Sequence, residues 1–230
     1  MIETLFIAAD AWLMFVCFVY GWKFIRRHHN YLLGIEWIIV GTSATNFLLW
    51  SLLGGDPSNP MYTIAYFLDA FSRSFGFTLV LILGLRMATH RYKPTLWVEI
   101  GAFVLSAAGG AFLVTFHESG VYGVGPATFF VITNLITSFF LFSFASRLWR
   151  AGAKGWSVAT TLITLVAMVI ALTYDFFPWP FDDAQRTYFY TAALATWGTQ
   201  GFIYYFGYGA MSNHNARFHA SAAQRVAVSS

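Results

Sequence analysis

The chain has 230 residues, 58% of them hydrophobic and only 10% charged, with a formal net charge of +3. Soluble domains are about a quarter charged, so this composition excludes an ordinary soluble enzyme or regulator and describes an integral membrane protein. The basic excess is scattered over turns and makes no nucleic-acid footprint, and a single cysteine, Cys17, excludes a disulfide framework or a cysteine-based metal site.

The start, MIETLFIAAD, lacks a basic n-region and a small-residue cleavage site, so it reads as the beginning of a retained helix. Hydropathy predicts spans near 4–23, 31–53, 62–88, 95–116, 125–148, 156–177 and 187–209. The predicted fold is therefore all-α: a seven-transmembrane helix bundle over residues 1–211 and a polar cytoplasmic tail over 212–230. The tail, SNHNARFHASAAQRVAVSS, has a composition and position that ordinarily stay disordered.

Charge sorting orients the bundle. One side collects Lys23, Arg26, Arg27, Arg86, Arg91, Lys93, Arg147, Arg150, Lys154, Arg217 and Arg225. The other holds Arg186 with Glu3, Asp56, Glu118, Asp175, Asp182 and Asp183. The positive-inside rule then predicts a multi-pass protein of the cell membrane (cytoplasmic or inner membrane), N-terminus outside and C-terminus cytoplasmic. Breakers mark the outer turns: GGDPSNP at 54–60, ESGVYGVGP at 118–126 and FFPWPFDD at 176–183. The last reads as an aromatic-anchored turn, with an interfacial element or a lid as the other reading.

The third span, YFLDAFSRSFGFTLVLILGLRM, carries Asp69 and Arg73 in its outer half. Four residues apart, they lie one above the other on a helix and can pair. An intramembrane charge costs roughly 2.5–3.5 kcal/mol on insertion scales, so the pair is predicted to face other helices, with Arg73 held by Asp69 or Asp10. Other polar groups fall at similar depth: Asp10 in the first span, Asn46 in the second, Asn134 in the fifth, and Trp197, Thr199 and Gln200 in the seventh; Tyr174 and Asp175 close the sixth. Converged, they make an outward-opening chamber for ligand or ion binding, suited to a cationic or zwitterionic solute or a proton relay; the competing reading is an interhelical packing network.

Glu36 and Glu99 lie one turn inside the cytoplasmic ends, where such side chains snorkel to headgroups, or here form a matched cytoplasmic gate. Glu36 opens the second span and Arg86 closes the third, as Glu99 opens the fourth and Arg147 closes the fifth; superposing the glutamates aligns Ser43-Ala44 with Ser106-Ala107 and brings Lys93 near Lys154, a weak signal for a parallel hairpin repeat.

Aromatics number 25 Phe, 12 Tyr and 9 Trp. Trp22, Trp37, Trp50, Trp97, Trp149, Trp156 and Trp179 fit an interfacial belt, whereas Phe75, Phe77, Phe129 and Phe130 lie deeper. Either these fill the bundle and face lipid, or they line a site for a flat apolar ligand such as a quinone, carotenoid or tetrapyrrole.

The histidines exclude chemistry. His28, His29, His90, His214 and His219 fall on the cytoplasmic side and His117 at the outer rim, so no bis-His intramembrane haem is available; a cytoplasmic metal site from His28, His29, His90 and His214 is the remaining metal reading. Nor is there a GxSxG elbow, HExxH, P-loop or paired catalytic aspartates, so no motif supports an enzyme. Seven spans, an outside N-terminus and short loops resemble the layout of microbial rhodopsins. That family anchors retinal on a lysine in the seventh helix; TYFYTAALATWGTQGFIYYFGYGAM has none, which rules out a retinal Schiff base.

Two functions follow. The first is binding or translocation of a small cationic, zwitterionic or flat apolar molecule through a polar chamber in the outer half. The alternative is a non-catalytic subunit of a larger membrane complex, holding pigment, quinone or lipid on its aromatic surface. The partners implied are the bilayer, a small-molecule ligand, and other membrane subunits or further copies of the chain.

Overall fold

Each hydropathy maximum folds as one helix. The computed structural model describes residues 1–118, 121–176 and 179–229, with side chains described except over 117–118, 121–122 and 219–229. Ser230, and parts of the turns predicted at 118–126 and 176–183, lie outside the described residues. The helices are α1 (Ile2–His28), α2 (Tyr31–Leu52), α3 (Pro60–Thr89), α4 (Leu96–Val114), α5 (Val124–Arg150), α6 (Lys154–Thr173) and α7 (Thr187–Ser229). A two-residue antiparallel pair, His117–Glu118 with Val121–Tyr122, joins α4 to α5.

Helices α1 to α6 are long and apolar enough to cross a membrane by length and composition. Helix α7 is diluted by Thr191, Thr196, Thr199, Gln200 and several tyrosines, yet it runs beside α1 in the same direction. Trp12 meets Thr199 and Phe202, Tyr20 meets Tyr205, and Phe24 meets Tyr208. So α7 covers the same depth as α1.

Helix α1 packs on α2 and α7, α2 on α3, α3 on α5, α5 on α6, and α6 on α7, closing a six-helix ring; α4 sits behind α3, outside it. Where α1 meets α2 the backbones approach closely: a Cβ on Gly21 would stand 3.0 Å from the Gly34 carbonyl oxygen. Small residues permit such approach between membrane helices. Asn30 ties this corner to α3, accepting from Leu33 N–H as the N-cap of α2 and donating to the Gly84 carbonyl at 2.8 Å. Helices α2 and α3 pack side by side, whereas α4 and α5 flank α3 without comparable mutual contact. The two hairpins of the repeat suggested above are thus packed differently.

Between Ser72 and Leu81, α3 is wound as a π-helix. Wider winding shifts side chains out of the 3.6-residue register, and π segments recur at functional sites. Hydroxyls brace this one: Ser74 Oγ donates to the Phe71 carbonyl, Thr133 Oγ1 to that of Arg73, and Thr78 Oγ1 to that of Thr133.

The tail departs from expectation. Helix α7 continues to Ser229, Asn215 Nδ2 donates to the Ala88 carbonyl at 2.7 Å, and Arg91 lies over the Phe218 ring. After Gly209 the segment contains neither Gly nor Pro and is rich in alanine, so helix propensity outweighs its polarity.

Candidate functional site

Helix α3 brings Arg73 to the ring axis, where α5 and the end of α6 close over it. Its Nη1 donates to Asp69 Oδ2 at 3.2 Å and to Asp175 Oδ1 at 3.4 Å, and its Nη2 pairs with Asp175 Oδ2. The guanidinium lies between two aromatic faces, with Cζ 4.1 Å from the ring centroids of both Phe130 and Tyr174. Arg73 thus has two carboxylates and two π faces, which suits a planar, delocalised cation out of water. Two carboxylates to one guanidinium leave one formal negative charge in excess.

The pairing with Asp69 follows the four-residue spacing; the other expected partner, Asp10, is replaced by Asp175. Arg73 faces α5 and α6, while Asp10 sits on α1, which packs on α2 and α7 across the ring. Asp10 is fully buried, and neither of its carboxylate oxygens accepts a hydrogen bond from a described residue.

Two cavities lie on the ring axis. The outer one, about 100 Å³, is at the end bearing the α2–α3 and α6–α7 turns; Asp69 and Arg73 line it together with Phe47, Trp50, Tyr66, Phe77, Tyr174, Tyr190 and Trp197. Asp69 keeps 21% of its side-chain surface open there. The inner cavity, about 50 Å³, is lined by Cys17, Trp37, Asn134, Ser138, Gln200 and Tyr204, among others. Gln200 Nε2 donates to Tyr204 Oη at 2.6 Å, which also bonds Thr164 Oγ1, and Ser138 Oγ donates to Asn134 Oδ1.

The polar residues singled out above are therefore divided. Asp69, Arg73 and Trp197 line the outer cavity, and Asn134, Trp197 and Gln200 the inner. Asp10 and Asn46 line neither; Asn46 Nδ2 instead donates to the Met61 carbonyl and ties α2 to the first turn of α3.

The gate pair is not formed. Glu36 is fully buried between α1 and α3, where Gly76 leaves it room: a Cβ there would stand 2.6 Å from Glu36 Oε1. Its oxygens accept no hydrogen bond from described residues, although the Ser72 hydroxyl faces it. Walled in, Glu36 does not snorkel. Glu99 is half-buried in the first turn of α4, outside the ring, so the two are apart. Trp37 also departs from the belt, being 4% exposed and turned to the inner cavity, while Trp22, Trp97 and Trp149 are exposed. Of the deep phenylalanines two turn inward, Phe77 lining both cavities and Phe130 covering Arg73, whereas Phe75 lies against Gly109 of α4 and packs edge-on against Phe129.

The histidines considered as a metal site are likewise dispersed. His28 lies among the rings of Phe24, Tyr205 and Tyr208. Arg147 Nη2 donates to His90 Nε2 at 2.8 Å, which leaves Nδ1 the protonated nitrogen, facing Thr89 Oγ1. Burial and the charges of Arg147 and Arg86 hold the His90 imidazole below its ordinary pKa. Among the described residues no three His, Cys, Asp or Glu side chains gather as metal ligands.

Sequence reasoning named Tyr174 and Asp175 for the chamber but missed three contributions: Asp175 as the second carboxylate on Arg73, Tyr66 and Tyr190 as walls of the outer cavity, and Arg186. Arg186 Nη2 donates to the Tyr174 carbonyl, and its guanidinium lies 4.3 Å from the Phe189 ring. The signal was the run TYD before FFPWPFDD, an acid flanked by aromatics at a helix end.

Fold and composition define the class: a polytopic helical membrane protein with aromatic-walled cavities on its axis. No family model matches the chain, and neither a curated protein nor a solved structure is similar to it.

Proposed function

We propose that the chain crosses the cytoplasmic membrane seven times, N-terminus outside, and binds a small organic cation in the outer cavity as a step in its translocation. One observation carries this reading: an acid-rich triad, two carboxylates against one guanidinium, exposes Asp69 to a cavity walled by six aromatic side chains besides Phe77. Aromatic faces attract cations, and quaternary ammonium groups are commonly held in such cages. An engineered cavity of about 150 Å³ holds benzene, and tetramethylammonium is about that size, so such a guest sits partly within this cavity of about 100 Å³ and partly in its open mouth. The charge asymmetry supports the orientation, and the parallel course of α1 and α7 supports a seventh crossing. The inward turn of Phe77 and Phe130 favours an internal ligand over pigment or lipid on the outer surface.

Calorimetric titration of the purified chain in mild detergent with ammonium, tetramethylammonium and choline tests this. Tetramethylammonium is expected to bind, and Asp69→Asn to weaken it tenfold or more, about 1.4 kcal/mol, while the variant stays folded. Equal affinity in wild type and Asp69→Asn would remove the outer cavity as the cation site.

A further inference from the structure

The two cavities share three wall residues, Val40, Phe77 and Trp197, and otherwise differ in character. The outer is aromatic and acidic. The inner offers hydrogen-bonding groups and no carboxylate: Asn134, Ser138, Gln200 and Tyr204. In its wall, packed against Gly201, lies an orphan donor. Trp37 is 4% exposed, lines this cavity, and its Nε1–H has no acceptor among the described residues. A buried donor normally has a partner, and a polar cavity of about 50 Å³ has room for ordered water, which needs only about 10–15 Å³ and two to four polar partners.

We propose that the inner cavity is a hydrated second station on the path of the cation held in the outer cavity, separated from it by a partition of Val40, Phe77 and Trp197 and widened beyond its resting volume of about 50 Å³ when Phe77 swings out of that partition. The proposal rests on the cation reading above. Gln200 spends its amide nitrogen on Tyr204, which leaves Oε1 as an acceptor; with Asn134 Oδ1 and water it supplies neutral oxygens to a cation leaving Asp69. A site of dipoles without a full counter-charge holds a cation weakly enough to release it. Phe77 is the mobile candidate in the partition, because it stands on the π-wound part of α3, whereas Trp197 is stacked on Tyr174.

Cys17 provides the test, since the only cysteine of the chain lines the inner cavity and is buried. A methanethiosulfonate carrying a trimethylammonium group reacts with the thiolate, which forms only where water reaches the sulfur. With the full chain in proteoliposomes, wild type is expected to label slowly and Phe77→Ala at least tenfold faster. Tetramethylammonium is expected to slow labelling of Phe77→Ala several-fold. Equal rates in the two proteins, with complete labelling after denaturation, would overturn the proposal; so would fast labelling of the wild type, which leaves no partition. Acceleration without protection by tetramethylammonium would keep the hydrated cavity but overturn its place on the cation path. The calorimetric titration then decides separately whether the outer cavity binds cations. Should Phe77→Ala not fold, Phe77→Leu and Val40→Ala, each checked for a cooperative thermal transition, carry the same comparison.

Discussion

Two pairs of acids lie at membrane depth in this bundle, and their surroundings differ. Asp69 and Asp175 converge on Arg73 between the rings of Phe130 and Tyr174. Asp10 and Glu36, both fully buried, accept no hydrogen bond from described residues. The first pair stands where α3, α5 and the end of α6 meet beside a cavity; the second is enclosed where α1 and α2 pack against their neighbours. Both pairs are acids removed from bulk water inside the helices, so burial alone does not define a role. What distinguishes them is whether the fold delivers a cation and an opening.

The largest effect should come from removing that cation. Arg73→Gln leaves two carboxylates facing each other, and breaking a buried ion pair on one side typically costs about 3–5 kcal/mol. The thermal transition in detergent should fall sharply. Neutralising all three groups, with Asp69→Asn and Asp175→Asn added, should recover most of the loss while abolishing cation binding. Retained binding in the folded triple variant would reduce the triad to packing.

Next in size is the converse test at Glu36. Its carboxylate accepts no hydrogen bond from a described residue, so replacing it with an apolar side chain of similar length, Glu36→Met, should be neutral or stabilising, by up to the roughly 1–3 kcal/mol that an unsatisfied buried polar group costs. Gly76→Ala should destabilise by about 1–3 kcal/mol through overpacking, because the new Cβ meets Glu36 Oε1 at 2.6 Å and the Phe71 carbonyl at 3.1 Å. Combining Gly76→Ala with Glu36→Ala should recover part of that cost, and thermal stabilities in a double-mutant cycle measure the coupling. Additive losses would mean that the two positions do not touch.

This contrast shows what a single sequence can reveal. Helix number, the axis of α3 and the Asp69–Arg73 pair were legible because hydropathy and four-residue spacing are local signals. Asp175 was read as closing the sixth span; its partnership with Arg73 spans 102 positions and depends on ring closure, which no local pattern encodes. Glu36 was misread for a similar reason. Its nearness to a basic turn suggested snorkelling, but the close approach of Gly21 and Gly34 and the hollow at Gly76 enclose it. The π winding of Ser72–Leu81 also escaped, since serine, threonine and glycine there are equally compatible with an α-helix.

The smallest effect belongs to acids of a third kind, at the water-exposed rim. Asp182 and Asp183 both cap α7: Asp182 accepts from the backbone N–H groups of Tyr188 and Phe189, and Asp183 Oδ1 from Thr187 N–H at 2.8 Å. First-turn N–H groups have no partner within the helix, so such caps supply one. The backbone hydrogen bond from Thr187 holds the Asp183 carboxyl below its ordinary pKa. A carboxyl lowered by folding stabilises the folded chain above the unfolded value, near 4, and that contribution fades as pH falls through the folded value. Asp183→Asn keeps an acceptor but cannot titrate. Thermal transitions recorded from pH 6 down to pH 3 should therefore fall slightly less steeply for Asp183→Asn than for wild type, with the difference confined to the acid end. Because this carboxylate is fully exposed, water screens it, and the shift should be far smaller than for any change at Arg73. Parallel profiles at every pH would mean that the rim acid contributes as a polar cap alone, leaving Asp69 and Asp175 as the acids whose charge the fold uses.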